Sequence, residues 1–375
     1  MGNARLSHCP CCLRANFSSK WETALNHPHE RDTSGAADDP HRLGPATENS
    51  APVFGARHAL VSRIFTGPQG LRAGWSILFF AAVWLLSMEV LAFLFAPHLT
   101  VDPHQPLAPT AALLMEIWQL CPTILATAVM AVLEHRPVLS YGYRGSARAV
   151  RFVSGLGWGF VAISVLVGIL WKLGYLGFDA HSLRGETALM DGLLWAAVFL
   201  LTGLFEETLF RGYLQFTLTR GIGFWWGALL FAVAFGGIHR VNPGESPVGL
   251  AAAGAVGLVF CLSLWYTGSL WWAVGFHAAW DWGQSYFYGT ADSGMMAQGH
   301  LLQEHPAGPV LWSGGTTGPE GSILIVPLLV VMAVLMALWW GRRVRSPFAG
   351  AAWKPMRAPE VLSQLSDTRE SEARS

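Results

Sequence analysis

Hydrophobic residues occur along this chain in eight long runs, and these runs set the predicted architecture. Each run is close to the roughly 20 residues that a helix needs to cross a bilayer. The runs lie at 74–96, 109–133, 150–173, 190–216, 221–239, 247–267, 270–288 and 321–341. None of them alternates polar with apolar residues as a barrel strand would. We therefore predict an all-α fold, a polytopic bundle of about eight transmembrane helices.

The polar segments at both ends of the chain divide it into three predicted parts. Residues 1–70 are rich in His, Pro, Asp, Asn and Ser, which is typical of a weakly folded segment. We predict a disordered cytoplasmic tail at 1–70, a transmembrane bundle at 71–345 and a cytoplasmic C-terminal tail at 346–375. The first run begins too far along to be a secretory signal. Cys9, Cys11 and Cys12 lack the spacing of a standard zinc site.

Composition and charge support a membrane location. Of the 375 residues, 52% are hydrophobic and 13% are charged, whereas soluble domains contain about 25% charged residues. The numbers of basic and acidic residues are equal, at 24 each, so no excess of positive charge is available to bind nucleic acid. The expected surroundings of this chain are therefore a lipid bilayer.

Basic residues in the short loops predict the orientation. The loop at 134–151 contains four arginines, and further basic residues precede the first run and follow the last. The loops at 97–109 and 289–321 contain no Lys or Arg. Because this bias alternates along the chain, we expect a multi-pass protein of the cell membrane with both termini in the cytoplasm.

Ionisable residues inside three of the runs are the candidate functional groups. They are Glu206, Glu207 and Arg211 in the fourth run, His239 at the end of the fifth, and His277 and Asp281 in the seventh. A charged side chain at bilayer depth costs roughly 2.5–3.5 kcal/mol, so such groups persist where they pair and face an interior cavity. We therefore expect a site for acid–base or metal chemistry inside the bundle.

Helical spacing gives the two glutamates different partners. Glu207 and Arg211 are four residues apart, so we expect an ion pair on one helix face. Glu206 points about 100° away and needs a partner on another helix, where the two histidines are available. Asp281 lies one turn from His277 and is expected to orient its imidazole. The structural alternative is a charge cluster that ends the fourth helix, with histidines satisfied at helix contacts.

The depth of His239 is the main difficulty for a single site. Glu206 lies roughly 8 Å of helix rise from Arg211, near the cytoplasmic side, whereas His239 lies roughly 22 Å from the cytoplasmic end of its run. The predicted site therefore requires helix tilt, a short fifth helix or an aqueous cavity.

The polar residues form three motifs: EExxxR at 206–211, FxxxH at 235–239 and HxxxD at 277–281. In this order on successive hydrophobic runs, they resemble the CPBP family of intramembrane proteases, also called the Abi or CAAX-protease family. That family includes the type II CAAX prenyl endopeptidases. The resemblance covers 190–288 and implies a protease core there, acting on a protein or peptide substrate. The prenyl proteases tend to have Asn where this chain has Asp281, which bears on prenyl-protein specificity more than on catalysis.

The resemblance implies that Glu206, His239 and His277 are the core of the site. Glu206 and His239 would then activate a water for attack on a peptide carbonyl. His277, oriented by Asp281, would stabilise the oxyanion. One glutamate and two histidines are also a catalytic zinc set. The cofactor therefore stays open between a divalent metal such as zinc on these three residues and no metal.

Two other functions remain as alternatives. Members of this family are also thought to serve as catalytically silent scaffolds or immunity factors. A proton-coupled transporter would show inverted repeats, whereas the motifs here cluster in the middle of the chain. Glu89 and Glu116, in the first two runs, belong to no motif and are expected to pair across the bundle or line a cavity.

Overall fold

The computed structural model describes residues 64–67, 70–95, 105–145, 147–179 and 183–349. Most of the two predicted tails, at 1–70 and 346–375, lies outside these residues, as does the cysteine cluster at 9–12.

Helices dominate the described part of the chain, as the hydrophobic runs predict. They are α1 (Ala73–Phe95), α2 (Pro109–Leu133), α3 (Arg148–Lys172), α4 (Gly185–Glu206), α5 (Gln215–Ile222), α6 (Phe224–Ile238), α7 (Pro247–Thr267), α8 (Trp271–Asp281), α9 (Val310–Ser313) and α10 (Ile325–Trp340). A π-helical segment, Glu207–Leu214, joins α4 to α5, and a second one, Trp282–Phe287, continues α8. Two short antiparallel hairpins pair β1 (Thr66–Gly67) with β2 (Gly70–Leu71) and β3 (Leu176–Phe178) with β4 (Glu304–Pro306).

Six helices within the described residues are long and apolar enough to cross a membrane. They are Ala73–Leu94, Pro109–Leu133, Arg148–Lys172, Gly185–Ile222, Phe224–Val241 and Pro247–Thr267. The last two predicted runs contain shorter helices, since α8 has 11 residues and α10 has 16. The prediction of a polytopic helical membrane protein is confirmed, with six helices of full length among the eight predicted runs.

The helices differ in how much of their surface the protein covers. Only 6% of the apolar window of α1 is buried, so this helix offers most of its side chains to lipid. In contrast, every residue of α8 from Trp272 to Asp281 is buried. The short and polar seventh run therefore lies in the centre of the bundle, where it carries two of the candidate site residues.

Glycines allow α8 to lie very close to α3. Gly155 and Gly159 of α3 face the backbone of α8 at Phe276, and Gly275 of α8 faces the backbone of Phe152. A methyl group at any of the three glycines would collide with backbone atoms. Small residues at such crossings let two helices approach until their backbones touch, which fixes the position of α8.

A charge cluster centred on Glu134, at the end of α2, ties α1, α2 and α5 together; we call it the Glu134 cluster. Its carboxylate accepts hydrogen bonds from Arg220 (2.9 and 3.1 Å), Tyr213 (2.8 Å), Ser76 (3.1 Å) and Tyr141 (3.3 Å), and Arg136 lies 3.6 Å away. The charged side chains of the cluster are at most 8% exposed.

Candidate active site

A cavity of about 760 Å³ lies inside the bundle. Its walls come from α1, α2, α4, α6, α7 and α8 and from the loop between α8 and α10. Four ionisable residues of the sequence motifs line it, namely Glu206, His239, His277 and Asp281. The structure thus brings side chains from three separate hydrophobic runs to one cavity.

His277 is the centre of the polar side of this cavity. Its Nε2 lies 3.5 Å from Glu206 Oε2 and 3.5 Å from Asp281 Oδ2. Its Nδ1 lies 3.3 Å from Glu207 Oε1. Both ring nitrogens therefore face carboxylates, and Glu206 is close enough to exchange a proton with the imidazole through small movements or one water.

The ion pair expected from the four-residue spacing is present. Arg211 Nη1 lies 3.0 Å from Glu207 Oε1, and both side chains are fully buried. The guanidinium lies over the ring of Phe235, with Cζ 4.2 Å from the ring centroid, which adds cation–π attraction. Gly257 of α7 leaves space for Nη2, since a Cβ at that position would collide with it. Arg211 is thus fixed by three elements of the fold.

His277 has the expected neighbour Asp281 and a second one, Glu207, that the sequence did not predict. The Asp281 carboxylate lies near Nε2 of His277, the same nitrogen that faces Glu206. The Glu207 carboxylate lies near Nδ1 of the same ring. Because Arg211 holds Glu207, the ion pair and the orientation of the imidazole form one unit. Sequence spacing could not reveal this contact, since it joins α8 to the π-helical segment after α4.

His239 stands apart from the other motif residues, although it lines the same cavity. It begins a short 3₁₀ turn after α6, and its Nδ1 lies 2.7 Å from the backbone oxygen of Phe235. The ring of Phe235 packs edge-on against both histidines, with centroids 4.9 Å from His239 and 6.3 Å from His277. Within the described residues, no hydrogen bond or ion pair joins His239 to Glu206 or His277. The 15 residues of α6 supply the short fifth helix that the depth argument requires.

The positions of Glu206, His239 and His277 do not fit a shared zinc site, which the residue types alone allowed. In the described part of the chain, no group of three His, Cys, Asp or Glu side chains is placed to hold a metal ion. Glu206 and His277 are neighbours, but His239 turns one nitrogen to its own helix backbone. We therefore derive the chemistry of this site from protein groups and water.

Three further carboxylates line the cavity. Glu116 comes from α2, and Asp292 and Glu320 come from the loop between α8 and α10. Burial, together with the neighbouring carboxylates of Asp281 and Glu320, raises the pKa of Asp292 well above its usual range. The two loop residues carry no sequence signal, because they lie beyond the motifs and in no hydrophobic run.

Several buried oxygens on this side of the bundle have no hydrogen-bond partner. Among the described residues these include Oε2 of Glu116, Glu206 and Glu207. A buried acceptor without a partner costs about 1–3 kcal/mol, and such groups in a cavity are natural positions for water or for a bound molecule.

Comparison with known proteins bears on the part of the chain that carries these residues. The family model described as Type II CAAX prenyl endopeptidase Rce1-like matches residues 188–283. The matched segment runs from α4 into the π-helical turn after α8 and contains all three motifs. No curated protein and no solved structure matches the chain. The resemblance predicted from the motifs is confirmed, because residues 188–283 match the model of this CAAX-protease family.

Proposed function

We propose that this protein is an intramembrane endopeptidase that hydrolyses a peptide bond of a protein or peptide substrate. The family match supports a protease in general. The observation that carries the finer proposal is the 3.5 Å contact between Glu206 and His277 in a cavity inside the bundle. A carboxylate and an imidazole at this distance can divide the acid and base steps of peptide hydrolysis between them.

The proposed reaction begins with a water bound between Glu206 and His239. Glu206 takes a proton from this water, and the oxygen attacks the carbonyl carbon of the peptide. His239, across the cavity, holds the water on its attacking side. His277 donates its Nε2 proton as a hydrogen bond to the oxyanion that forms. When the C–N bond breaks, the proton on Glu206 passes to the leaving amine.

The remaining motif residues are proposed to position these groups. In this proposal His277 is the imidazolium, protonated on both nitrogens: Nδ1–H donates to Glu207, and Nε2–H donates to the oxyanion. Arg211 fixes Glu207 in turn. Asp281 lies 3.5 Å from Nε2 and steadies the ring on the side of Glu206.

The membrane orientation is also a proposal. Six helices of membrane-spanning length support a multi-pass membrane protein. We propose the cell membrane as its location, with both tails, at 1–70 and 346–375, in the cytoplasm, because the loop at 134–151 contains four arginines and the loop at 289–321 no basic residue. Reporter fusions to the C-terminal tail and near Ser313 should then report opposite sides. The same side for both would contradict this orientation.

The endopeptidase proposal is tested by searching for cleavage products in the membrane. Membrane proteomes of cells that contain the wild type or Glu206→Gln would be compared for new N-termini. We expect a set of products that requires Glu206 and is unchanged in Glu89→Gln, a matched control, since Glu89 is exposed on α1 and lies outside the cavity. Identical products with and without Glu206 would refute the mechanism. No product that depends on the protein would favour a catalytically silent scaffold or immunity factor.

A further inference from the structure

We propose that Glu116 makes the cavity selective for a substrate that carries a basic side chain beside the scissile bond. This proposal rests on the endopeptidase function proposed above, because it names the substrate class for the same cavity. It assigns a role to a residue outside the segment that the family model matches, which begins at residue 188.

The first observation is the charge on the cavity walls. Five carboxylates line the cavity: Glu116, Glu206, Asp281, Asp292 and Glu320. The described residues that line it include no Lys or Arg. The two histidines are therefore the basic groups available on these walls, and the acidic groups outnumber them.

The carboxylates at the loop side of the cavity are held by neutral donors. The indole Nε1 of Trp280 donates to Glu320 at 2.7 Å, and the hydroxyl of Ser293 donates to the same carboxylate at 3.0 Å. The hydroxyl of Ser285 donates to Asp292 at 2.9 Å. Neutral donors fix the direction of these carboxyl groups and bring no positive charge, so a cation from outside the chain would meet oriented acceptors and would favour their ionised form.

Glu116 is the carboxylate with the clearest unfilled position. Its Oε2 is buried and has no hydrogen-bond partner within the described residues. The hydroxyl of Thr202 donates to the backbone oxygen of Val198 at 3.1 Å and also lies within hydrogen-bonding reach of the Glu116 carboxyl group. Glu116 lies close enough to Glu206 and Asp281 to feel both charges. A cation at Glu116 would therefore lie in the same cavity as the proposed reacting groups and within their electrostatic range.

The shape and donor geometry of the cavity favour an organic cation. No three carboxylate or imidazole groups of the described residues are placed around one metal ion. The wall formed by α1 contributes Phe80, Trp84 and Met88, which are apolar or amphipathic. A Lys or Arg side chain combines an apolar stem with a charged end, and the cavity offers a surface for each part.

Binding can be measured without turnover. The probes are two short apolar peptide amides that differ at one central position, with lysine in one and the isosteric norleucine in the other. The full chain in nanodiscs of zwitterionic phosphatidylcholine would be titrated with each peptide, and tryptophan fluorescence would be followed, since Trp84, Trp195 and Trp280 line the cavity. We expect the lysine peptide to bind about tenfold more tightly to the wild type, a modest preference for a partly buried ion pair.

Two substitutions distinguish the effect of Glu116 on peptide binding from the effect of surface charge in general. Glu116→Gln should remove the preference for lysine, whereas Glu89→Gln, which removes a carboxylate outside the cavity, should keep it. If Glu116→Gln lowers the melting temperature, Glu116→Asp serves as a second variant and should retain part of the preference. Equal binding of both peptides to the wild type, or an undiminished preference in Glu116→Gln, would overturn the proposal.

The outcome is independent of whether the protein cleaves anything. A protein that prefers the lysine peptide through Glu116 but yields no Glu206-dependent product would contradict the endopeptidase function alone. Glu206-dependent products whose cleavage sites lack flanking basic residues would contradict the Glu116 proposal alone.

Discussion

Among the described residues, one group of buried charges surrounds Glu134 and another surrounds His277, and the two groups are built differently. In the Glu134 cluster, one carboxylate faces two arginines and three hydroxyls, and both of its oxygens have partners. Around His277, three carboxylates share one imidazole, and Oε2 of both Glu206 and Glu207 lacks a hydrogen bond. A carboxylate whose two oxygens are both paired with cations and hydroxyls stabilises a fold, whereas carboxylates with unpaired oxygens are available to bind and react. We therefore propose a structural role for the Glu134 cluster and a catalytic role for the groups around His277.

The largest expected effect comes from Glu206, which tests the chemical side of this comparison. Glu206→Gln should lower the cleavage rate by about 10²–10⁴-fold, the range of general acid–base catalysis. Its melting temperature should stay close to that of the wild type, because Glu206 makes no hydrogen bond to a fixed donor. Cleavage of an identified substrate and thermal unfolding would be measured on the same preparation. Wild-type activity in this variant would remove Glu206 from the mechanism.

Glu134→Gln should show the opposite pattern. The variant strands Arg220 and Arg136 in a mostly buried environment, which costs about 3–5 kcal/mol when one partner of a buried pair is removed. We expect a clear fall in melting temperature with normal cleavage per folded molecule. An unchanged melting temperature would show that the Glu134 cluster does not stabilise the bundle.

Glu207 belongs to both kinds of cluster, so its substitution sharpens the comparison. Glu207→Gln should reduce stability, because Arg211 loses its partner. It should also reduce activity by about 10–100-fold, the effect of losing a group that orients a reactive side chain. The double variant Glu207→Gln/Arg211→Met should regain stability without regaining activity. Recovery of both would reduce Glu207 to a structural role.

The smallest expected effect concerns Glu304, a carboxylate outside both clusters. Burial raises the pKa of Glu304 to about 7 from its usual 4.5. The folded state therefore holds this proton more strongly than the unfolded state, and stability should fall as pH rises from about 4.5 to about 7. Because Glu304 in β4 is only partly covered, we expect about 1 kcal/mol or less. The difference between the melting temperatures at mildly acid and at neutral pH should be smaller in Glu304→Gln than in the wild type. An equal difference in the two proteins would show that Glu304 is not the group responsible.

The sequence predicts the features that depend on one helix at a time. The spans follow from the length of apolar runs, and the Glu207–Arg211 pair follows from a spacing of four residues. Contacts between helices depend on packing. Residue spacing therefore could not predict that Glu207 contacts Nδ1 of His277, or that Nδ1 of His239 contacts the backbone oxygen of Phe235. The same reason explains Glu320, which reaches the cavity only through the path of its loop.

The close glycine crossing of α3 and α8 has a consequence for biosynthesis. With 11 residues that include His277 and Asp281, α8 is too short and polar to be recognised as a span on its own. It is made long after α3, so its docking surface already exists when it leaves the ribosome. For the proposed protease, cleavage would then begin only after α8 docks. We expect Gly159→Leu to lower the yield of the full chain in the membrane but not that of a chain truncated before α8; equal losses would contradict this order of assembly.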